Sequence, residues 1–516
     1  MITVIETVCI SGVTGMITTV ETFVTPGLRE FSIIGLAGAS VKESKNRVCA
    51  AIKNCGFELP KGRITVNLAP SDIRKEGTGF DLAIAAGILS AGGQIDAEKL
   101  GGFALIGELS LDGLVKPVSG IFSMCAFAKK AGLTDVIIPA DNLSEVICID
   151  GLRIWPVGRL GELFMVLKRE KRPLTGSLGD FSGEDGFTSI SDIKGHKTAK
   201  RAIEIAASGR HNILMLGAVG SGKTMLAHSI RSILPPLCRE DVYDVTSVYS
   251  LCGLLSNDNP VIRQPPFREV HTGITKTALI GGGRPVVPGE ISLSHCGVLF
   301  LDEATEIDRA AVDSLRQPMD SGEVTVSRVG HIEKLPADFM LVCAMNPCRC
   351  GNLLEGPEKC TCTPKMISHT LEKISRPVLD RIDIHIPVRT PGYAEIRADK
   401  PERVEVIRER VRNIRELQRE KIASKGFSGR TYSRLSGEEL NAVVKTDPEA
   451  EALLMESAEY LSLSIRAFNK LKAIAGTIAD MNGHGTVGKD DIAEAVQYRV
   501  IDRKLFGEGG AGADAA

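Results

Sequence analysis

At 516 residues the chain is too long for one compact domain, and at about 100–200 residues per domain three are expected. Hydrophobic residues make up 43%, enough to fill several cores, and the formal net charge of -2 announces neither nucleic acid nor a membrane surface. Any contact with DNA then has to come from local basic patches.

Met1 to Glu6 show no basic segment leading into an apolar run, and no apolar stretch approaches the ~18 residues that span a bilayer. The expectation is a cytoplasmic protein with no membrane partner, whose thirteen cysteines stay reduced.

Residues 1–166 mix short β-type runs, such as Gly62 to Leu68 and Asp135 to Pro139, with helical stretches such as Val41 to Cys55. This reads as an α+β domain. Residues 167–188 are charged and rich in Gly and Ser, the composition of an exposed linker. In 189–392 the apolar runs Asn212 to Leu216, Val298 to Leu301 and Phe339 to Ala344 read as buried parallel strands between helices, an α/β core. Residues 393–506 are mostly helical in pattern. Residues 507–516, with four glycines and four alanines, read as a disordered tail.

The core carries the chemistry. Gly217-Ala218-Val219-Gly220-Ser221-Gly222-Lys223-Thr224 matches the phosphate-binding pattern G-x-x-x-x-G-K-[ST] without a gap. An apolar strand leads in and a helical pattern leads out, so backbone N–H groups can face phosphate oxygens. Lys223 is assigned to the β- and γ-phosphates of ATP and the Thr224 hydroxyl to Mg²⁺. About 80 residues later, the strand Val298 to Leu301 ends in Asp302 and Glu303. Two carboxylates there are costly without partners. Asp302 fits as the outer ligand of Mg²⁺ and Glu303 as the base that polarises water. A third strand, Phe339 to Ala344, ends at Asn346, placed to orient the water or sense the γ-phosphate; the alternative is a turn-forming Asn before Pro347. Arg381, beside Asp380 and Asp383, and Arg466, opening a helical pattern, are candidates for an arginine finger and a second sensor. For Arg381 the alternative is a surface salt bridge.

Between the acids and Asn346, alternation on both sides of Val329-Gly330 reads as a hairpin, with Ile280 to Arg284 as a neighbouring insert. Arg284, Arg328 and Lys334 are candidate DNA phosphate contacts, set against ordinary hairpin charges. Cys348, Cys350, Cys360 and Cys362 form C-x-C, nine residues, C-x-C. Four thiolates would hold a structural Zn²⁺; the alternative is four reduced thiols. Arg408, Arg412, Arg415 and Arg419 flank the stripe Val404, Ile407, Val411 and Ile414 and read as a solvated edge paired with glutamates.

Together with Asn67 to Gly77, Pro288 to His295, Leu315 to Met319, Ala344 to Cys348 and Gly476 to Asp480, these motifs resemble the YifB/ComM family of Mg-chelatase-like AAA+ ATPases over nearly all of residues 1–505. The resemblance implies a homo-hexameric ring with a C-terminal helical lid, makes Arg381 the trans-acting finger and Arg466 sensor 2, and implies action on single-stranded or branched DNA, as a branch-migration helicase in recombination. Arg376 stands where the family commonly has glycine, which leaves it as a second candidate for the finger. The N-terminal domain looks like the fold shared with Lon-type protease domains (ribosomal S5 domain 2-like). Gly79 and Phe122 occupy the positions of the Ser–Lys dyad, so no peptidase follows. Lys42, Lys45, Arg47, Arg63, Arg74 and Lys75 are a candidate basic face there, set against a simply solvated one. The rival readings are a metal-insertion ATPase subunit of the chelatase type and a nucleotide-binding scaffold without turnover.

Overall fold

The computed structural model describes residues 2–11, 14–71, 74–178, 188–283, 286–328, 331–356, 358–501 and 505. The expected tail, 507–516, and part of the expected linker, 179–187, lie outside them.

The N-terminal region is built on a mixed sheet. Strands β1 (Ile2–Ser11) and β2 (Thr14–Thr25) form a long antiparallel ladder. β3 (Glu30–Ile34), β4 (Arg63–Ala69), β5 (Phe103–Leu105), β8 (Asp135–Pro139) and β9 (Arg153–Val157) complete the order β3-β4-β2-β1-β5-β8-β9, and β6 (Glu108–Leu109) and β7 (Val115–Lys116) form a small separate ribbon. Period-2 side-chain alternation gives the sheet two apolar faces. Ile5, Val20 and Leu68 pack with helices Ala39–Asn54 and Asp81–Ala91, while Val8, Ala104 and Val136 pack with helix Ile121–Lys130. Phe122 is fully buried and stacks at a tilt on Tyr243 of the ATPase region, 5.5 Å between centroids, so it serves packing.

Two expectations change here. The basic face is largely consumed: Lys75 is fully buried, Arg47 pairs with buried Asp81 at 2.8 Å, Arg63 with Glu30 and Arg74 with Glu76. The first part of the expected linker is docked, because Leu174 exchanges backbone hydrogen bonds with Ile154 on edge strand β9 and Lys171 pairs with Glu162. An edge strand offers unpaired N–H and C=O groups, and this segment takes them up.

The central region carries five parallel strands: β10 (Ile213–Leu216), β11 (Phe267–Val270), β14 (Val298–Leu301), β17 (Met340–Met345) and β18 (Ile384–Pro387). Their order is β11-β14-β17-β10-β18, so the first strand lies between the fourth and fifth. Alternate residues feed opposite cores: Ile213, Met215, Phe300 and Val342 on one face, Leu214, Leu216, Leu301 and Cys343 on the other. That two-sided burial explains why the strands read as continuous apolar runs. Two ribbons project from the core, β12 (Gly281–Gly282) with β13 (Val287–Pro288), and the hairpin β15 (Glu323–Arg328) with β16 (His331–Pro336).

Helices Val404–Ser424, Pro448–Tyr460, Ile465–Met481 and Lys489–Gln497 form the C-terminal bundle and share one core with the sheet. Helix 404–424 buries Ile407, Val411, Ile414 and Ile422, so the expected stripe runs two turns further, while Val404 at its start is half-buried. Its arginines divide. Arg412 pairs with Glu409, as a solvated flank should. Arg408 and Arg415 instead donate to the Ser232 and Ala207 carbonyls of the core, both at 2.9 Å. Carbonyls left over at core helix ends need donors, and these two side chains reach them. Among the described residues, no helix is long and apolar enough to cross a membrane.

Candidate functional site at the carboxyl ends of three strands

The register of the sheet decides the site. Leu216 lies opposite Met345, and Leu301 opposite Cys343, so β10, β17 and β14 end side by side. Parallel sheets place ligands outside their carboxyl ends, where the following loops can shape a crevice.

The first loop is 217–222. Gly220 and Gly222 take φ of +78° and +90°, the left-handed region open to glycine, and let the chain curl into helix Lys223–Ser229. Lys223 is 8% exposed. Its Nζ donates to the carbonyls of Gly217 (2.9 Å) and Ala218 (2.7 Å) and to Asn346 Oδ1 (3.2 Å). Burial lowers its pKa below the ordinary lysine value, and the charges of Asp302 and Glu303 oppose that shift. Thr224 Oγ1 donates to Asp302 Oδ2 at 2.8 Å, and Asp302 Oδ1 accepts the Glu303 amide at 2.8 Å. Glu303 is exposed and holds φ of +46°, a strained backbone for a side chain with a Cβ.

Lys223, Thr224, Asp302, Glu303 and Asn346 therefore meet in one place, and Asn346 touches the lysine rather than only turning the chain. The residues fit Mg·ATP on their own chemistry. A buried ammonium held by loop carbonyls is poised for anionic oxygens, and a hydroxyl beside a carboxylate is an oxygen pair suited to Mg²⁺. When bound there, Mg²⁺ neutralises phosphate charge.

The arginines lie elsewhere. Asn212 Nδ2 donates to the Arg381 carbonyl at 3.0 Å, and Asn212 immediately precedes β10, so Arg381 belongs to the amino end of the sheet, opposite loop 217–222. Its guanidinium binds Asp320 Oδ2 through Nε (3.0 Å) and Nη2 (2.6 Å). Arg466 Nη2 reaches the same oxygen at 3.2 Å. The salt bridge foreseen with Asp380 or Asp383 is replaced by one with Asp320, since Asp383 is buried against Lys470 at 3.0 Å. Arg376 is exposed at the start of its helix, Arg376–Leu379. Sequence spacing gives no sign of Asp320, because its partners lie 61 and 146 positions away.

Of the candidate DNA contacts, Arg284 and the side chain of Arg328 lie outside the described residues. Lys334 is exposed on β16 and pairs with Glu323 at 3.1 Å. The hairpin itself forms in the expected register, Arg328 opposite His331.

The four cysteines of the C-x-C pairs converge. Their sulfur atoms lie within 4.8 Å of one another, a set able to hold a metal ion, and all four are free thiols.

Family models match in three consecutive blocks: subunit ChlI of Mg-chelatase over residues 20–142, magnesium chelatase, subunit ChlI, over 189–396, and its C-terminal model over 401–499. The competence protein ComM of Haemophilus influenzae is 37% identical over 96% of this chain and 96% of its own length. An uncharacterized protein of Escherichia coli (strain K12), YifB, is 36% identical over 98% of each. The magnesium-chelatase 67 kDa subunit of Heliobacterium mobile is 30% identical over 31% of this chain and 28% of its own. With full-length likeness to the first two and only a shared segment with the third, the chain belongs to the YifB/ComM family of Mg-chelatase-like AAA+ ATPases.

Proposed function

We propose that the chain is a cytoplasmic, ATP-hydrolysing motor that forms a homo-hexameric ring and acts on single-stranded or branched DNA, with branch-migration helicase activity in recombination. The observation that carries the ATPase reading is the meeting of Lys223 with Asn346 and of Thr224 with Asp302 at three adjacent strand ends. In this reading Lys223 holds the β- and γ-phosphates, Thr224 and Asp302 hold Mg²⁺, Asn346 orients the water, and Glu303 accepts its proton. Arg381 and Arg466 sit together at the opposite end of the sheet, which favours their serving a neighbouring subunit's ATP and hence a ring.

The DNA part rests on the printed name of the ComM relative, a competence protein, and on the projecting hairpin β15–β16, with Arg284, Arg328 and Lys334 as phosphate contacts. Four cysteines leave no open coordination position, so the metal we assign to them is a structural Zn²⁺. The family models named for a magnesium chelatase support a second reading, a metal-insertion ATPase subunit.

ATP turnover measured with and without a synthetic four-way junction separates the two. The motor reading expects DNA-stimulated hydrolysis and ATP-dependent junction resolution into duplexes. Turnover indifferent to forked, single-stranded and four-way DNA alike would favour the chelatase reading.

A further inference from the structure

The four-cysteine cluster lies against the nucleotide loop. The chain leaves β17 at Met345, passes Asn346 and reaches Cys348 two residues later. The sulfur of Cys348 is 3.4 Å from that of Cys350 and 3.8 Å from that of Cys360, and Cys350 is 3.7 Å from Cys360. Bonds of ~2.3 Å from zinc to sulfur in a tetrahedron imply sulfur–sulfur edges of about 3.8 Å. The packing thus has metal-site spacing. A backbone amide meets the cluster as well: Cys350 N donates to Cys362 Sγ at 3.4 Å. Amides aimed at sulfur are the partners that metal-bound thiolates require.

The same loop covers the phosphate-binding segment. At Gly351 the chain turns with φ of +80°, and a Cβ placed there would lie 3.4 Å from Val219 N and 3.5 Å from Ala218 Cα. A side chain at this position would therefore touch the apex of loop 217–222. Further on, Glu355 Oε1 accepts the Thr390 amide at 3.4 Å, just beyond Val388, whose carbonyl abuts Gly217. One short loop therefore faces the nucleotide loop at Gly351, reaches the segment after β18 through Glu355, and continues from the strand that carries Asn346. Its nine residues between the cysteine pairs include two glycines; among the described ones, a short 3₁₀ turn, Asn352–Leu354, and the packing of Leu353 and Leu354 against the core support it beside the cysteine cluster.

We infer that Zn²⁺ held by Cys348, Cys350, Cys360 and Cys362 is a brace for the ATP site: it fixes Gly351 against Ala218 and Val219, and nucleotide affinity depends on it. The inference deepens the ATP-site reading above and rests on it. Its test uses the full chain purified without added chelator. Zinc content is measured first, then binding of a fluorescent ADP analogue in Mg²⁺, before and after stripping with a pyridyl chelator that spares Mg²⁺. About one zinc per chain is expected. Removal should weaken ADP binding by about tenfold or more, restored by Zn²⁺ and not by extra Mg²⁺. Gly351→Val, whose side chain reaches the nucleotide loop from a backbone held at φ of +80°, should weaken ADP binding by about tenfold, with its zinc content measured alongside. This variant decides the matter if circular dichroism shows that the stripped protein unfolds. Purified protein without zinc but with intact ADP binding overturns the brace and leaves the ATP site standing. Full zinc, with ADP affinity unchanged by stripping and by Gly351→Val, overturns the coupling and leaves an inert staple. Zinc-loaded protein that binds no nucleotide overturns the ATP-site reading itself, and the brace with it.

Discussion

Glu303 is the residue on which turnover and binding part company. It is exposed, its backbone is strained at φ of +46°, and the Asp302 carboxylate fixes its amide at 2.8 Å, so the strand end over-determines where its side chain starts. It contributes nothing to the hydrogen bonds that hold Lys223 or Thr224. Glu303→Gln is therefore expected to lower ATP turnover by about 10²–10⁴-fold while leaving ATP affinity close to wild type. Steady-state phosphate release and equilibrium nucleotide binding check this; unchanged turnover would remove Glu303 as the base. Residues of this kind were legible in the sequence because each is tied to a contiguous local pattern: a glycine loop after an apolar run, acids at a strand end, paired cysteines. Asp320 was not legible. Its meaning lies in two arginines distant in sequence, and no local spacing encodes such a meeting.

Between elements, the joint of the helical region with the core is held by a buried charge cluster. Asp338, just before β17, lies 3.0 Å from Arg210 at the end of helix Lys197–Gly209 and 2.6 Å from Arg434 of the C-terminal region. Burial alone would raise the Asp338 carboxyl, but the two guanidinium groups outweigh it and bring it down to about 2. Burial pushes His295 down to about 4, and its Nδ1 accepts the Asp338 amide at 3.1 Å, which requires the neutral ring. Unfolded, this imidazole would take a proton near ~6.5, so its contribution is complete above that pH and is lost as pH falls from ~6.5 towards 4. Asp338 adds a second loss from ~3.9 down to about 2. The His295 part is on the order of 3 kcal/mol. Urea midpoints followed from pH 8 to 4 should decline below ~6.5 in the wild type. His295→Gln, which keeps an acceptor and does not titrate, should flatten that decline; parallel curves would show that His295 is not the group responsible. Helix Val404–Ser424 of this joint was legible from its apolar stripe. The inward turn of Arg408 and Arg415 was not, because periodicity marks a helix face without showing which core carbonyls lie beside its edge.

For the whole molecule, the central fact is separation. Lys223 and Asp302 stand at the carboxyl ends of the strands, while Arg381 and Arg466 share Asp320 at the amino end. A guanidinium acts on a transferring phosphoryl group only at contact distance. On the proposed motor reading the two arginines reach ATP across an interface between subunits, and a head-to-tail interface of that kind gives a ring where its rotation closes. On that reading Lys223→Ala spoils the nucleotide loop of its own subunit, and Arg381→Ala spoils the arginine offered to a neighbour. Each variant alone should lose most ATP turnover. Mixed and allowed to exchange subunits, they should recover part of it, because an Arg381→Ala subunit keeps an intact loop and a Lys223→Ala neighbour supplies an intact arginine. Phosphate release from the mixture, compared with the sum of the separate variants, reads the outcome. A mixture no more active than that sum would place Arg381 outside the working site and remove the geometric reason for a ring.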